Sequence, residues 1–168
     1  MNLPQFNEYA PFYKGYIEAV GNDVYAELDN QTNDFPSLIK SIPPEKGDYA
    51  YDTGKWTIKE LIGHVIDTER IMVYRLIAVA RNDKTALPGF EENDYVKNAR
   101  FANRTLQSFA DEFEWLRKAN LFLFKSFTEE ELNRIGNANG NPISTRALLF
   151  IIAGHLKHHI KILNERYV

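Results

Sequence analysis

Through most of this chain apolar side chains recur every three or four residues, and the pattern breaks where a signal that starts or stops a helix stands. Thr57-Ile58-Lys59-Glu60 and Thr128-Glu129-Glu130-Glu131 have the form of capping boxes. In each, the threonine hydroxyl and the last glutamate satisfy a backbone N–H that the first helical turn leaves without a partner. Pro43-Pro44 stops the segment before the first box. The Asn-Gly region GNANGNP precedes a final helix capped by Ser144 or Thr145. Between these marks the spacing predicts a weak segment over residues 8 to 19 and a long helix from Asn22 to Ile42. Further helices follow from Thr57 to about Ala80, from Thr105 to Phe127, briefly after Thr128, and from Ser144 to near the last residue. The segment NDKTALPGFEENDYVKNARFANR reads as one long connection, rich in aromatics for a loop. Strands are scarce. The expected architecture is therefore all-α, a four-helix bundle in one domain over residues 1–168 with one long connecting loop.

Composition narrows the function. At 168 residues, 44% hydrophobic and 26% charged, the chain is the size of one ordinary domain with a single core. A formal net charge of -3 gives no electrostatic reason to expect nucleic acid, and no apolar run approaches the ~20 residues that span a bilayer. The start, MNLPQFNEYA, lacks the basic and apolar regions of a secretory signal, so the cytoplasm is the expected location. With no cysteine, disulfides, thiolate metal sites and a cysteine nucleophile are all ruled out.

Of four histidines, three fall within 154-GHLKHHIKIL-163. At 100° per residue His159 lies on the buried stripe of the last helix, roughly 40° from His155, which sits at the edge of the same face. His158 leans to the polar side. The fourth, His64, belongs to 56-WTIKELIGHVIDTERIMVYRL-76, a helix apolar around most of its circumference. There Glu60, His64, Asp67, Thr68 and Arg75 form one polar stripe within roughly 60° of His64. Such a line needs partners, and the inward histidines of the last helix supply them, either as paired core residues or around a cation. Three imidazoles around a tetrahedral ion leave one position open, as in catalytic zinc sites. The His-Glu-x-x-His pattern is absent, since Leu156 occupies the glutamate position.

Three blocks, 56-WTIKELIGHVIDTER-70, 88-PGFEENDYV-96 and 154-GHLKHHIKIL-163, resemble in order and separation the DinB-like (YfiT-like) metal-binding four-helix bundles. The resemblance covers the chain from about residue 20 onward. It implies an up-down-down-up bundle and a divalent metal, zinc or nickel, held by His64, His155 and His159. It also implies a frequent homodimer. The family includes S-transferases that use low-molecular-weight thiols such as bacillithiol or mycothiol, a thiol-dependent isomerase, and proteins assigned as hydrolases.

The leading expectation is a metal-dependent S-transferase acting on a small-molecule substrate, with a thiol as cosubstrate because the chain has none of its own. Metal-dependent hydrolysis is the variant, and a non-catalytic metal-pinned bundle is the rival. Asp67 is a candidate general base or orienter of an imidazole, against the plainer reading of an ion pair with Arg70 or Arg75. Phe90, Tyr95 and Phe101 are candidate walls of the pocket mouth, or else tether the long connection to the core. Trp56 and Trp115 read as packing residues, Trp56 as the staple before the Thr57 cap.

Overall fold

The computed structural model describes residues 1–167, with helices α1 (Lys14–Val20), α2 (Val24–Ser41), α3 (Ile58–Ala80), α4 (Glu92–Asn98), α5 (Leu106–Lys125), α6 (Glu129–Leu132) and α7 (Thr145–Arg166). Both capping boxes form: Thr57 Oγ1 accepts from Glu60 N at 3.2 Å while Thr57 N donates to the Glu60 carboxylate at 2.7 Å, and Thr128 and Glu131 repeat the exchange. Ser144, rather than Thr145, caps α7 by accepting from Ala147 N at 2.9 Å.

Two clusters of the core fix the direction of the four long helices. At one end the start of α2 (Val24, Leu28) meets the end of α3 (Leu76, Val79), the end of α5 (Leu121, Phe124) and the start of α7 (Leu148, Ile151). At the other end the same helices contribute Phe35 and Ile39, Ile62 and Ile66, Phe109 and Phe113, then Leu156 and Leu163. The order is therefore up-down-down-up. Because α3 and α5 run the same way, the chain between them must travel back the length of a 23-residue helix, about 35 Å at 1.5 Å per residue. That is why the connection is long.

The connection is more ordered than its composition suggests. It contains α4 and a 3-10 turn over Phe101–Asn103, and its first part is pinned to a hairpin that the sequence reading did not resolve. Strands β1 (Ile135–Ala138) and β2 (Asn141–Ser144) pair antiparallel around Asn139-Gly140, whose φ values of 51° and 75° are the left-handed pair that a tight hairpin turn needs. Leu87 N donates to Asn137 O at 3.0 Å and Asn139 N to Leu87 O at 2.9 Å, which holds residues 87–90 beside the bundle. Trp115 departs from its expected packing role: it is 70% exposed on α5, with Lys118 over its ring.

The core also holds a polar network that periodicity gave no reason to expect. Arg117, fully buried, donates through Nε and Nη2 to both carboxylate oxygens of Glu69 at 2.8 and 2.7 Å, and through Nη1 to Gln31 Oε1 at 2.9 Å. Asn120 donates to the same carboxylate, and Gln31 donates to the Ala153 carbonyl on α7. Every charge in this network has its counterpart, the condition under which a buried ion pair is tolerated.

Candidate metal centre

Helix α7 presents His155 and His159 one turn apart on one face, and α3 presents His64 opposite them. The Nε2 atoms of His64 and His159 each stand 3.1 Å from Nε2 of His155, and one ligand atom from each ring lies within 4.8 Å of the other two. Two nitrogens bound at 2.0–2.1 Å to one tetrahedral zinc ion stand about 3.3 Å apart, so both short edges are those of ligands around a single ion. Metal-free imidazoles fit this arrangement poorly, because three Nε2 atoms that meet at one point have too few complementary N–H donors and lone pairs to satisfy one another. The group could therefore hold a divalent cation.

Burial keeps the three rings neutral. It pushes the His64 pKa down to about 4 and that of His159 to about 3, and lowers that of His155 well below the ordinary value, with the neighbouring histidines adding to the shift. Neutral rings are the metal-binding form. The far nitrogens are less well served: His64 Nδ1 lies 3.5 Å from Thr68 Oγ1, and His159 Nδ1 is buried with no partner. Around the rings stand Trp56, 4.7 Å from the His64 ring centre, and Tyr16, edge-on to His155 at 5.7 Å. Tyr16 comes this close because Gly154 lets α1 lie directly on α7. A Cβ at that position would stand 2.1 Å from the Tyr16 carbonyl oxygen.

The histidines open onto a cavity of about 410 Å³ walled by Tyr13, Tyr16, Trp56, Met72, Arg75 and Phe90, with His158 and Glu92 toward its exposed side. Of the three aromatics expected at the mouth, Phe90 lines this cavity. Tyr95 meets Phe90 edge-on at 5.2 Å but faces neighbouring surface hollows. Phe101 is a correction. Its ring fills the space that Gly63 leaves on α3, 2.5 Å from where a Cβ would be, and packs on Phe109 in the core. Asp67 does not line the cavity either. It pairs with Arg70 at 3.8 Å, and burial raises its pKa against the opposing charge of Arg70. Glu60 stays in its capping box. The residues that sequence reasoning missed are Tyr13, Tyr16 and Trp56. Only Trp56 sat in a block already singled out, and its ring reaches His64, 4.7 Å away, from just before the start of α3.

The profile of the DinB superfamily matches residues 27–163 of this chain. Two proteins of Oceanobacillus iheyensis are similar to it, OB0413 and OB0782, each named only provisionally as a metal-dependent hydrolase. The first is 23% identical over 136 residues, 80% of this chain and 78% of that protein. The second is 23% identical over 146 residues, 84% of each. Among solved structures, YfiT from Bacillus subtilis, described as a probable metal-dependent hydrolase with an unusual four-helix bundle topology, superposes with a TM-score of 0.70 at 16% identity. It covers 96% of this chain and 89% of its own. The DinB-like protein YjoA from Bacillus subtilis superposes with a TM-score of 0.60 at 18% identity, over 86% and 88%. Both show the fold.

Proposed function

Because the chain belongs to the DinB superfamily, we propose that it is a metal-dependent enzyme in which His64, His155 and His159 hold one zinc or nickel ion and a low-molecular-weight thiol attacks an electrophilic small molecule. The observation that supports this is the convergence of three neutral imidazoles at the wall of a cavity whose one carboxylate, Glu92, stands on the exposed start of α4. A bound divalent cation supplies a Lewis acid that lowers the pKa of a thiol or a water at the position the three rings leave free. Thiol transfer asks little more of the protein, whereas hydrolysis also wants a base beside the attacking water. No buried carboxylate lines this cavity among the described residues. Trp56, Tyr16 and Met72 exclude water from the reacting groups, and the phenols of Tyr13 and Tyr16, with pKa values raised by burial, remain protonated and able to donate.

The hydrolytic reading is favoured by His158. It lines the cavity, its ring centre is 5.1 Å from that of His159, and burial and Lys161 lower its pKa, so at neutral pH it is a free base open to solvent. One probe separates the readings. Zinc-loaded protein is incubated with 1-chloro-2,4-dinitrobenzene, with and without cysteine, and the products are resolved by chromatography. A thioether formed faster than in buffer, and lost in His64→Ala and His159→Ala, supports S-transfer. Dinitrophenol formed without thiol supports hydrolysis, and a wild type no faster than His64→Ala sinks both.

A further inference from the structure

The chain buries two arginines, and only one has a counter-ion. Arg117 is matched atom for atom by Glu69. Arg75, 4% exposed, pairs with no carboxylate among the described residues. Its Nη2 donates to the Pro88 carbonyl at 2.6 Å, its Nη1 reaches the Met72 sulfur at 3.7 Å, and the Tyr13 phenol stands within its hydrogen-bonding reach. The face of Phe90 lies 5.8 Å from the guanidinium carbon, which stabilises the cation without neutralising it. A carbonyl, a thioether, a phenol and a ring are all neutral partners, and a buried guanidinium with no counter-ion is costly unless an anion completes its surroundings.

The position of Arg75 says what completes it. It lines the same cavity as the histidines and is the one lining residue with a permanent positive charge. Glu92, the one lining carboxylate, makes no ion pair with it. The segment that fixes Arg75 is itself fixed, since Pro88 and Phe90 follow Leu87, which the β1–β2 hairpin holds by two backbone bonds. Between Arg75 and His64 on α3 the wall is Met72 and Thr68, with Trp56 and Tyr16 also facing the space.

We propose that Arg75 is a carboxylate-binding subsite of this cavity, so that the small molecule taken there carries a carboxylate at one end, an apolar middle against the aromatic walls and its reacting group at the histidine end. A single guanidinium, planar and forked, matches one monoanionic carboxylate, and a phosphate dianion would call for further cations that the lining lacks. The assignment rests on the reading of the histidines as the reacting centre for the direction of the ligand, but the charge recognition at Arg75 stands apart from it.

The test uses three probes of one shape: N-acetylcysteine, its neutral amide N-acetylcysteinamide, and N-acetyl-2-aminobutyrate, in which a methyl replaces the thiol. Affinities are measured by calorimetry on zinc-loaded and on metal-free protein. Charge-assisted hydrogen bonds predict that each acid binds about tenfold or more tightly than the amide, and that Arg75→Gln removes this preference by weakening the acids far more than the amide. Arg75→Lys, which keeps charge but not the fork, retains part of it. Equal binding of acid and amide by the wild type, a preference that survives in Arg75→Gln, or no binding of either acid at millimolar concentration overturns the proposal. The acid–amide comparison on the wild type decides the matter even if Arg75→Gln does not fold. Loss of the thiol-over-methyl preference on zinc-loaded protein, by contrast, counts against the proposed thiol chemistry and leaves the subsite standing.

Discussion

Gly154→Ala sets two effects of known size against each other. Gly154 lies inside α7, where alanine is the better helix former by about 1 kcal/mol, so propensity alone makes the exchange stabilising. Sterics act the other way. The new Cβ would stand 2.1, 2.5 and 2.8 Å from the carbonyl oxygen, carbonyl carbon and Cα of Tyr16, all backbone atoms that no rotamer change moves aside. Restoring ordinary contact takes a withdrawal of α1 from α7 by roughly 1.3 Å, a gap at which packed atoms lose about half or more of their attraction. Helix α1 buries Ile17 and Val20, each worth about 1.5–3 kcal/mol when fully buried, so losing about half of that costs about 1.5–3 kcal/mol. Sterics win: the expected net change is a destabilisation of about 0.5–2 kcal/mol, or roughly 1–6 °C in Tm for a chain of this size. Gly15→Ala is the internal control, because nothing lies within 4 Å of a Cβ there and propensity acts unopposed, giving a small gain. Thermal unfolding of the two variants beside wild type reads the opposite signs. Zinc titration adds a second readout, since Tyr16 packs on His155 and its retreat weakens zinc binding. A Gly154→Ala protein that melts at or above the wild-type temperature with unchanged zinc affinity would refute the seating of α1 on α7.

Metal-free protein should lose stability as pH falls below 6.5. The folded chain holds His64 and His159 neutral down to about 4 and about 3 while the unfolded chain takes up their protons, so each costs about 2 kcal/mol by pH 5. Urea unfolding at pH 7 and pH 5 checks this, and zinc content checks the ligand set further down, because protons reach these nitrogens in the folded chain only as pH falls toward about 4 and about 3. Glu69→Gln should destabilise by about 3–5 kcal/mol without changing zinc stoichiometry, since it strands the Arg117 charge in the core away from the histidines. Asp67→Asn should leave both zinc content and turnover within about twofold of wild type, in keeping with its pairing to Arg70 outside the cavity. A hundredfold loss of turnover in that variant would return Asp67 to the site.

What the sequence made legible depended on distance along the chain. Capping boxes, helix periods and the i, i+4 pair His155 and His159 are local, and all were readable. So was the Asn139-Gly140 turn, although the four-residue strands on either side carry no alternation to announce them. His64 was found because it broke an apolar helix, but Glu69 was not. It lies five residues further on, about 140° around α3, and its partner Arg117 is on a helix whose facing could be set only by packing. The same limit explains Phe101. Its place in the core is decided by Gly63, a helical glycine that leaves a slot for a ring, and a glycine inside a helix says that something approaches closely without saying what. His155 shows the consequence for the site. Read on α7 alone it belongs at the edge of the apolar face, yet it is buried, because α1 folds over that edge at Gly154. The weakest helical segment of the sequence thus supplies Tyr13 and Tyr16 to the cavity wall, and His155 owes its buried, neutral state in part to a helix that its own periodicity barely predicts.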